Sequence, residues 1–347
     1  MPAARRVAAF GLLALLLAAG DVWALGAEQL GVLYRRGDAR SEEVARFYQR
    51  MRHVPEKNML ALRVPDVSSL APDVLTVLRE RAVRRLPSAV QALLLVWTRP
   101  YAVACMSSTS AFALGYDPSS CGSPCAHTAW NPAFDAQASV LSQRRDLFPA
   151  MQLPSDDVGM AKEVIRRGVA SDATYPAGVM YLVVTGDQLR NVRAQRYQDV
   201  MMSYSGKVSV RIVREPGGRT VPSVLSYFTG TARVRELGQL RFLPGGIGDH
   251  LSSYGGNLDQ HEQTTVLDWL SAGATGSYGS VSEPCNDTGK FPSPLIFIKH
   301  YVRGETLLEA YWKSVAMPAQ GLFVGEPLAA PYRGARPPSP PVSVRGI

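Results

Sequence analysis

An α/β fold with an open, mostly parallel sheet flanked by helices is what this sequence predicts, on three observations. Short apolar runs of strand length, such as Ala92 to Trp97 and Val179 to Val184, show no polar alternation, which marks strands covered on both faces. Between these runs lie segments whose apolar residues recur at helical spacing. Strands alternating with helices then require crossover connections, and hence parallel pairing.

The first run, Leu30 to Tyr34, leads through a turn at Arg35-Arg-Gly-Asp38 to Ser41, predicted to cap a helix with Glu42 and Glu43 in its first turn. Val44, Phe47, Tyr48 and Met51 fall at i, i+3, i+4 and i+7, so one face of that helix is buried until Pro55. A second strand is expected from Asn58 to Val64. A helix follows from Pro72 to Leu86 with Val74, Leu75, Leu78 and Val83 inward, and then the strand Ala92 to Trp97. Periodicity is lost from Thr98 to Asp157, which reads as a long loop excursion; loops of that length are functional or disulfide-pinned.

The rhythm resumes with a helix from Val158 to Val169, the strand Val179 to Val184, a helix from Gln188 to Met202, and strands at Val208 to Val213, Val224 to Phe228 and Leu240 to Leu243. The glycine-rich stretch Gly245 to Gly256 reads as a turn, followed by helices near Thr264 to Ser271 and Thr306 to Val315 and a strand at Leu322 to Val324. No linker is demanded, so residues 25–332 are expected to form a single domain, with residues 333–347 a proline-rich extended tail.

With 347 residues, 46% hydrophobic and 19% charged, the chain can bury a large core, which excludes wholesale disorder. Residues 1–24 have the layout of a secretory signal: Arg5 and Arg6, an apolar stretch from Ala8 to Ala19, and small residues at Val22 and Ala24 before the expected cleavage near Ala24. The mature chain is therefore expected in the periplasm or outside the cell, with no transmembrane span. The formal charge is +8, and loss of Arg5, Arg6 and Asp21 with the signal changes it by one unit. The arginines are scattered over predicted helix faces without interleaved aromatics, which argues against nucleic acid and leaves acidic polysaccharide or exported polypeptide as partners.

Four cysteines, Cys105, Cys121, Cys125 and Cys285, allow three pairings. The Gly and Pro between Cys121 and Cys125 allow a local bridge there, and the pairing is left open. A zinc site with His127 lacks a second ligand pair, so neither metal nor cofactor is expected. Cys285 is expected to be structural, because an even count in an oxidising compartment favours a bridge and Glu283 beside it disfavours a thiolate.

In an open parallel sheet, ligands bind beyond the carboxyl ends of the strands. That rule selects Asp187, Asp249, His250 and Glu283 as the candidate catalytic residues, with Arg99, Tyr101 and Cys285 in the same class of position. Asp187 in Thr-Gly-Asp reads more readily as a cap for the helix that follows than as a catalytic base. Gly245-Gly-Ile-Gly lacks the Lys-Ser/Thr ending of a phosphate loop, and Thr275-Gly-Ser-Tyr-Gly279 lacks the first glycine of a nucleophile elbow.

GDHLSSYGG (Gly248 to Gly256), LDWLSAGATGSYGSVSEPC (Leu267 to Cys285), KFPSP, RGETLLEAYWKSV and VGEPLAAPY resemble an uncharacterised exported bacterial family found with exosortase, the proposed sorting transpeptidase for proteins bearing a PEP-type carboxyl-terminal signal. In that resemblance Glu326 stands where Asp is expected. GATGSYGS is also similar, more distantly, to the gingipain and caspase-like peptidases, whose parallel sheet carries a His after one strand and a Cys after the next. The resemblance puts Ser252 and Ser253 in the Cys position, and Leu225 to Thr231 supplies no His. Two functions are therefore expected: a hydrolase-like envelope protein acting on or binding polypeptide or polysaccharide, or a non-catalytic scaffold for secreted sorting substrates that uses the Thr98 to Asp157 excursion as its contact surface.

Overall fold

The computed structural model describes residues 24–123, 125–136, 147–215 and 217–334. The signal expected over 1–24, except its last residue, and nearly all of the proline-rich tail lie outside them. In chain order the elements are β1 (Leu30–Arg35), α1 (Ala39–Arg52), β2 (Met59–Leu62), β3 (Ser69–Leu70), α2 (Pro72–Arg85), β4 (Ala92–Val96), β5 (Ala102–Val103), β6 (Met106–Ser107), α3 (Ser108–Leu114), β7 (Ala150–Leu153) and α4 (Val158–Ser171). There follow β8 (Val179–Val184), α5 (Tyr197–Tyr204), β9 (Ser209–Arg214), β10 (Val221–Gly230), β11 (Leu240–Leu251), α6 (Val266–Ser271), β12 (Gly276–Ser280), α7 (Pro294–Val302), α8 (Leu307–Ser314) and β13 (Gly321–Gly325).

Ten strands form one sheet in the order β2-β1-β4-β7-β13-β12-β11-β10-β8-β9, and β3-β5-β6 form a small second sheet. The strands β2-β1-β4-β7 are parallel to one another, as are β12-β11-β10-β8-β9. β13 runs antiparallel to β12 and meets β7 through Val324 and Gln152. Bonds between the segments after β4 and after β11 bring those carboxyl ends to one edge: Tyr101 Oη donates to Asn257 Oδ1 at 2.9 Å, and Arg99 Nε donates to Asp259 Oδ1 at 3.0 Å.

The continuous apolar runs are strands buried on both faces, as predicted. In β4, Ala92, Leu94 and Val96 enter one core cluster while Leu93, Leu95 and Trp97 enter another, the two-residue alternation of a pleated strand. α1 lays Val44, Ala45 and Tyr48 into the same cluster as β1's Leu30 and Val32. Its cap is Asp38, whose carboxylate accepts from the backbone N–H of Arg40 and Ser41, worth about 1 kcal/mol. Ser41, the expected cap, lies inside the helix, where its Oγ accepts from the Arg35 N–H. In α2 the buried residues are Leu75, Leu78 and Ala82, while Val83, one step out of phase, is exposed.

Three element assignments are also corrected. The Gly245 to Gly256 turn is half strand: β11 continues to Leu251 with residues 245–251 all buried. Glycine is needed there for space rather than for turning, since a Cβ on Gly248 would sit 2.0 Å from the Trp269 ring. The Thr98 to Asp157 excursion hides α3 and the central strand β7, whose four residues between Pro149 and Pro154 are too few to show a period. The Gln188 to Met202 helix is a 3-10 turn at Asn191–Arg196 followed by α5.

The cysteines pair Cys105–Cys121 and Cys125–Cys285, which excludes a local Cys121–Cys125 bridge. The sequence separations are 16 and 160 residues, so loop-closure entropy alone assigns about 3 and about 5 kcal/mol to the two bonds. Cys285 is structural, and two disulfides fit an oxidising compartment. Among the described residues no helix is long and apolar enough to cross a membrane.

Candidate functional site

Because β11 runs on through Leu251, its candidate pair sits inside the strand, and successive side chains leave on opposite faces. Ile247 and Leu251 belong to the cluster that also holds Phe228 and Tyr278, and Asp249 faces the same way. His250 faces Trp269 on the other side, their rings 5.9 Å apart. The two residues therefore do not converge on one crevice.

Asp249 is fully buried and pairs with Arg193, whose guanidinium also lies over the Phe228 ring, 5.6 Å from its centroid. Arg193 in addition donates to the carbonyls of Thr229 (2.6 Å) and Pro292 (3.1 Å), so it ties the end of β10 to the segment before α7. Burial pushes the Asp249 carboxyl up and Arg193 opposes that push. An ion pair so enclosed is costly to break on one side only.

His250 is fully buried with both ring nitrogens engaged. The Trp269 indole N–H, which can only donate, reaches Nδ1 at 2.9 Å, and Ser252 Oγ lies 2.9 Å from Nε2. An Nδ1 lone pair that accepts from indole puts the proton of the neutral ring on Nε2. The imidazole therefore donates towards Ser252 and has no lone pair free to take that hydroxyl's proton. Burial holds the ring neutral, with its pKa pushed down to about 3; a bond to the Thr264 backbone opposes this, and the charges of Arg193 and Arg190 add to it. A nucleophile–base pair requires the opposite polarity, with a carboxylate or carbonyl accepting from Nδ1–H.

Asp187, just past β8, caps the turn that follows: its carboxylate accepts from the Arg190 N–H at 3.2 Å and from Arg190 Nη1 at 3.1 Å. It also lines an open cleft of about 750 Å³ with Glu215, Thr231, Arg233, Arg235, Glu236 and Glu262, drawn from the ends of β9 and β10 and two loops. Partial burial raises the Glu215 carboxyl, and the negative charges of Glu236 and Asp187 add to that while Arg235 offsets it. A second hollow of about 480 Å³ shares Arg233 and Arg235 and runs along Leu258, His261, Thr264 and Asp268. The two hollows meet at Arg233 and Arg235, beside the end of β10.

Glu283 lies elsewhere. Its carboxylate accepts from the Cys285 N–H at 2.8 Å, its carbonyl accepts from Gln320 at 2.7 Å, and it borders a hollow of about 80 Å³ with Cys105 and Cys121. Arg99 and Tyr101 are committed to Asp259 and Asn257 in the clasp across the sheet edge.

No family model matches the chain, and no curated protein matches it. Solved structures do. The complex of the pro- and mature domains of Porphyromonas gingivalis RgpB, a gingipain, aligns over 87% of this chain and 79% of its own at 8% identity and a TM-score of 0.53. A structure described as a protease aligns over 91% and 81% at 10% identity, also with a TM-score of 0.53. The likeness is one of fold. It agrees with the gingipain- and caspase-like resemblance read from GATGSYGS, which falls on β12 beside β11.

Sequence reasoning missed Trp269, Arg193 and the cleft acids Glu215, Glu236 and Glu262. Trp269 carried a weak signal, since a tryptophan needs a hydrogen-bond acceptor when buried and the nearby His250 is one. The cleft acids come from separate connections and carry no local motif.

Proposed function

We propose that this chain is an exported polypeptide-binding domain built on a peptidase-like fold, without peptidase chemistry of its own. The observation that carries this reading is the direction of the Trp269–His250–Ser252 chain of hydrogen bonds. The hydroxyl at the end of β11 faces an imidazole whose accepting nitrogen is already taken. All four cysteines are in disulfides, so a thiolate is not available either.

The binding site in this reading is the groove holding Asp187. With Asp187 bonded to Arg190, the carboxylates of Glu215, Glu236 and Glu262 face Arg233 and Arg235, a small acidic excess that favours an extended segment carrying Lys or Arg, with the two arginines left to take main-chain carbonyls or an acidic neighbour. Asp249 and His250 act through the frame, as holders of Arg193 and Trp269, and Glu283 fixes the disulfide loop. The exosortase-type resemblance makes exported sorting substrates the natural source of such segments, with acidic polysaccharide a competitor for the arginines.

A hydrolase reading has one observation in its favour, the 2.9 Å Ser252–His250 contact. One experiment separates the two. The secreted, oxidised protein is titrated with fluorescent Lys/Arg-rich, acidic and neutral peptides, and the peptides are recovered for mass spectrometry. Salt-sensitive binding of the basic peptide, recovered intact, supports the proposal; cleavage that disappears in Ser252→Ala overturns it.

A further inference from the structure

The backbone nitrogen of Leu25, the first residue after the expected cleavage position, is buried against a carboxylate: Leu25 N–H donates to Glu309 Oε2 at 3.2 Å. Leu25 is held on every side. Its carbonyl accepts from Arg333 Nη2 at 3.1 Å, and its side chain, 5% exposed, belongs to the main core cluster. Glu309 is itself 5% exposed, at the start of α8, where it closes a capping box with Thr306. The Thr306 N–H and hydroxyl reach the same Oε2 at 2.9 and 2.7 Å. Lys313, on the same helix, bonds Glu305 Oε2 at 2.6 Å, and Glu305 Oε1 lies 2.8 Å from His300 Nδ1. Glu309 Oε2 thus accepts only from neutral donors, two amide N–H groups and a hydroxyl, and burial raises the carboxyl's pKa while the Thr306 bonds and the Lys313 charge oppose that push.

We propose that the Ala24–Leu25 bond is the site at which a leader peptidase hydrolyses this chain, and that the Leu25 ammonium so released docks on Glu309 as a buried ion pair. Water supplies the oxygen: the C–N bond breaks, Ala24 leaves as a carboxylate, and the new Leu25 amine takes up a proton at neutral pH. One donor becomes three, with a full positive charge, at the point where the fold holds an enclosed carboxylate. Val22 and Ala24 supply the small residues that such a peptidase reads. Cleavage elsewhere would not do the same: a start upstream carries the charge away from Glu309, and a start downstream removes the core residue Leu25. Processing is thus part of how the amino-terminal end is fastened beside α8, independently of what the groove binds.

The full chain with its own leader, exported from a bacterial host, provides the test. Intact mass and amino-terminal sequencing should give Leu25 as the first residue, and its α-amine should resist an amine-acylating reagent until the protein is unfolded. Inserting Gly-Ser between Ala24 and Leu25 should lower Tm by about 3 °C, and by less than half as much in a Glu309→Gln background. A different first residue, ready acylation of the native α-amine, or an equal Tm loss in both backgrounds would overturn the proposal. Should Glu309→Gln fail to fold, the mass and acylation results decide.

Discussion

The end of β11 and the end of β8 lie two strands apart in the same sheet, yet they are finished in opposite ways. At β11 the candidate residues are enclosed against protein partners: His250 between Trp269 and Ser252, and Asp249 against Arg193. At β8 the groups stand around an open cleft, and Glu215, Glu236 and Asp187 crowd like charges together. Enclosed polar groups with fixed partners stabilise a frame, and they are expensive to disturb. Clustered exposed carboxylates are kept at a cost that an incoming cation relieves. On the proposed reading, this contrast gives structure to the first place and binding to the second.

The largest break in that contrast is Arg193→Met. It leaves the buried Asp249 carboxyl without its counter-charge and should cost about 3–5 kcal/mol at pH 7, read by urea denaturation. Adding Asp249→Asn should recover most of the loss. If the single variant is as stable as the parent, the pair is no part of the frame.

Next is the pH dependence set by His250. Its folded pKa, about 3, lies below the ordinary value of 6.5, so the unfolded chain binds the proton more readily. Stability from this group is therefore full above pH 6.5 and lost as pH falls towards 3, by about 1.4 kcal/mol per pH unit. A His250→Phe variant, whatever its stability at pH 7, should show a flatter profile between pH 6 and 4. An unchanged slope would show that another group titrates.

At the cleft, Glu215→Gln with Glu236→Gln should weaken binding of a basic peptide about tenfold while leaving Tm within about 1 °C of the parent. A large Tm loss with unchanged affinity would reverse the roles of the two regions. The smallest effect belongs to Ser252→Ala, expected to cost about 1 kcal/mol in stability and nothing in peptide binding.

How much of this was legible in the sequence followed from physical scale. β1, β4 and β8 were visible because a strand covered on both faces needs consecutive apolar residues. β7 was not, because its four residues include Gln152, whose amide is spent inside the protein on Ser108 and the Thr98 carbonyl. The carboxyl half of β11 was disguised by glycines that look like a turn and serve to admit Trp269. Asp249 and His250 were selected as residues just beyond a strand end, whereas they lie inside β11, where adjacency in sequence means opposite faces. The pairing of Cys125 with Cys285 lay beyond sequence reach, since 160 residues separate them.

The tautomer of His250 tests the account most directly. Long-range proton–nitrogen correlation spectra of the folded protein report which ring nitrogen carries the proton, and a titration reports whether it changes. The account predicts a neutral ring protonated on Nε2, unchanged from pH 8 to pH 4. A ring protonated on Nδ1, or one titrating near pH 6.5, would free Nε2 to accept the Ser252 proton and would contradict it.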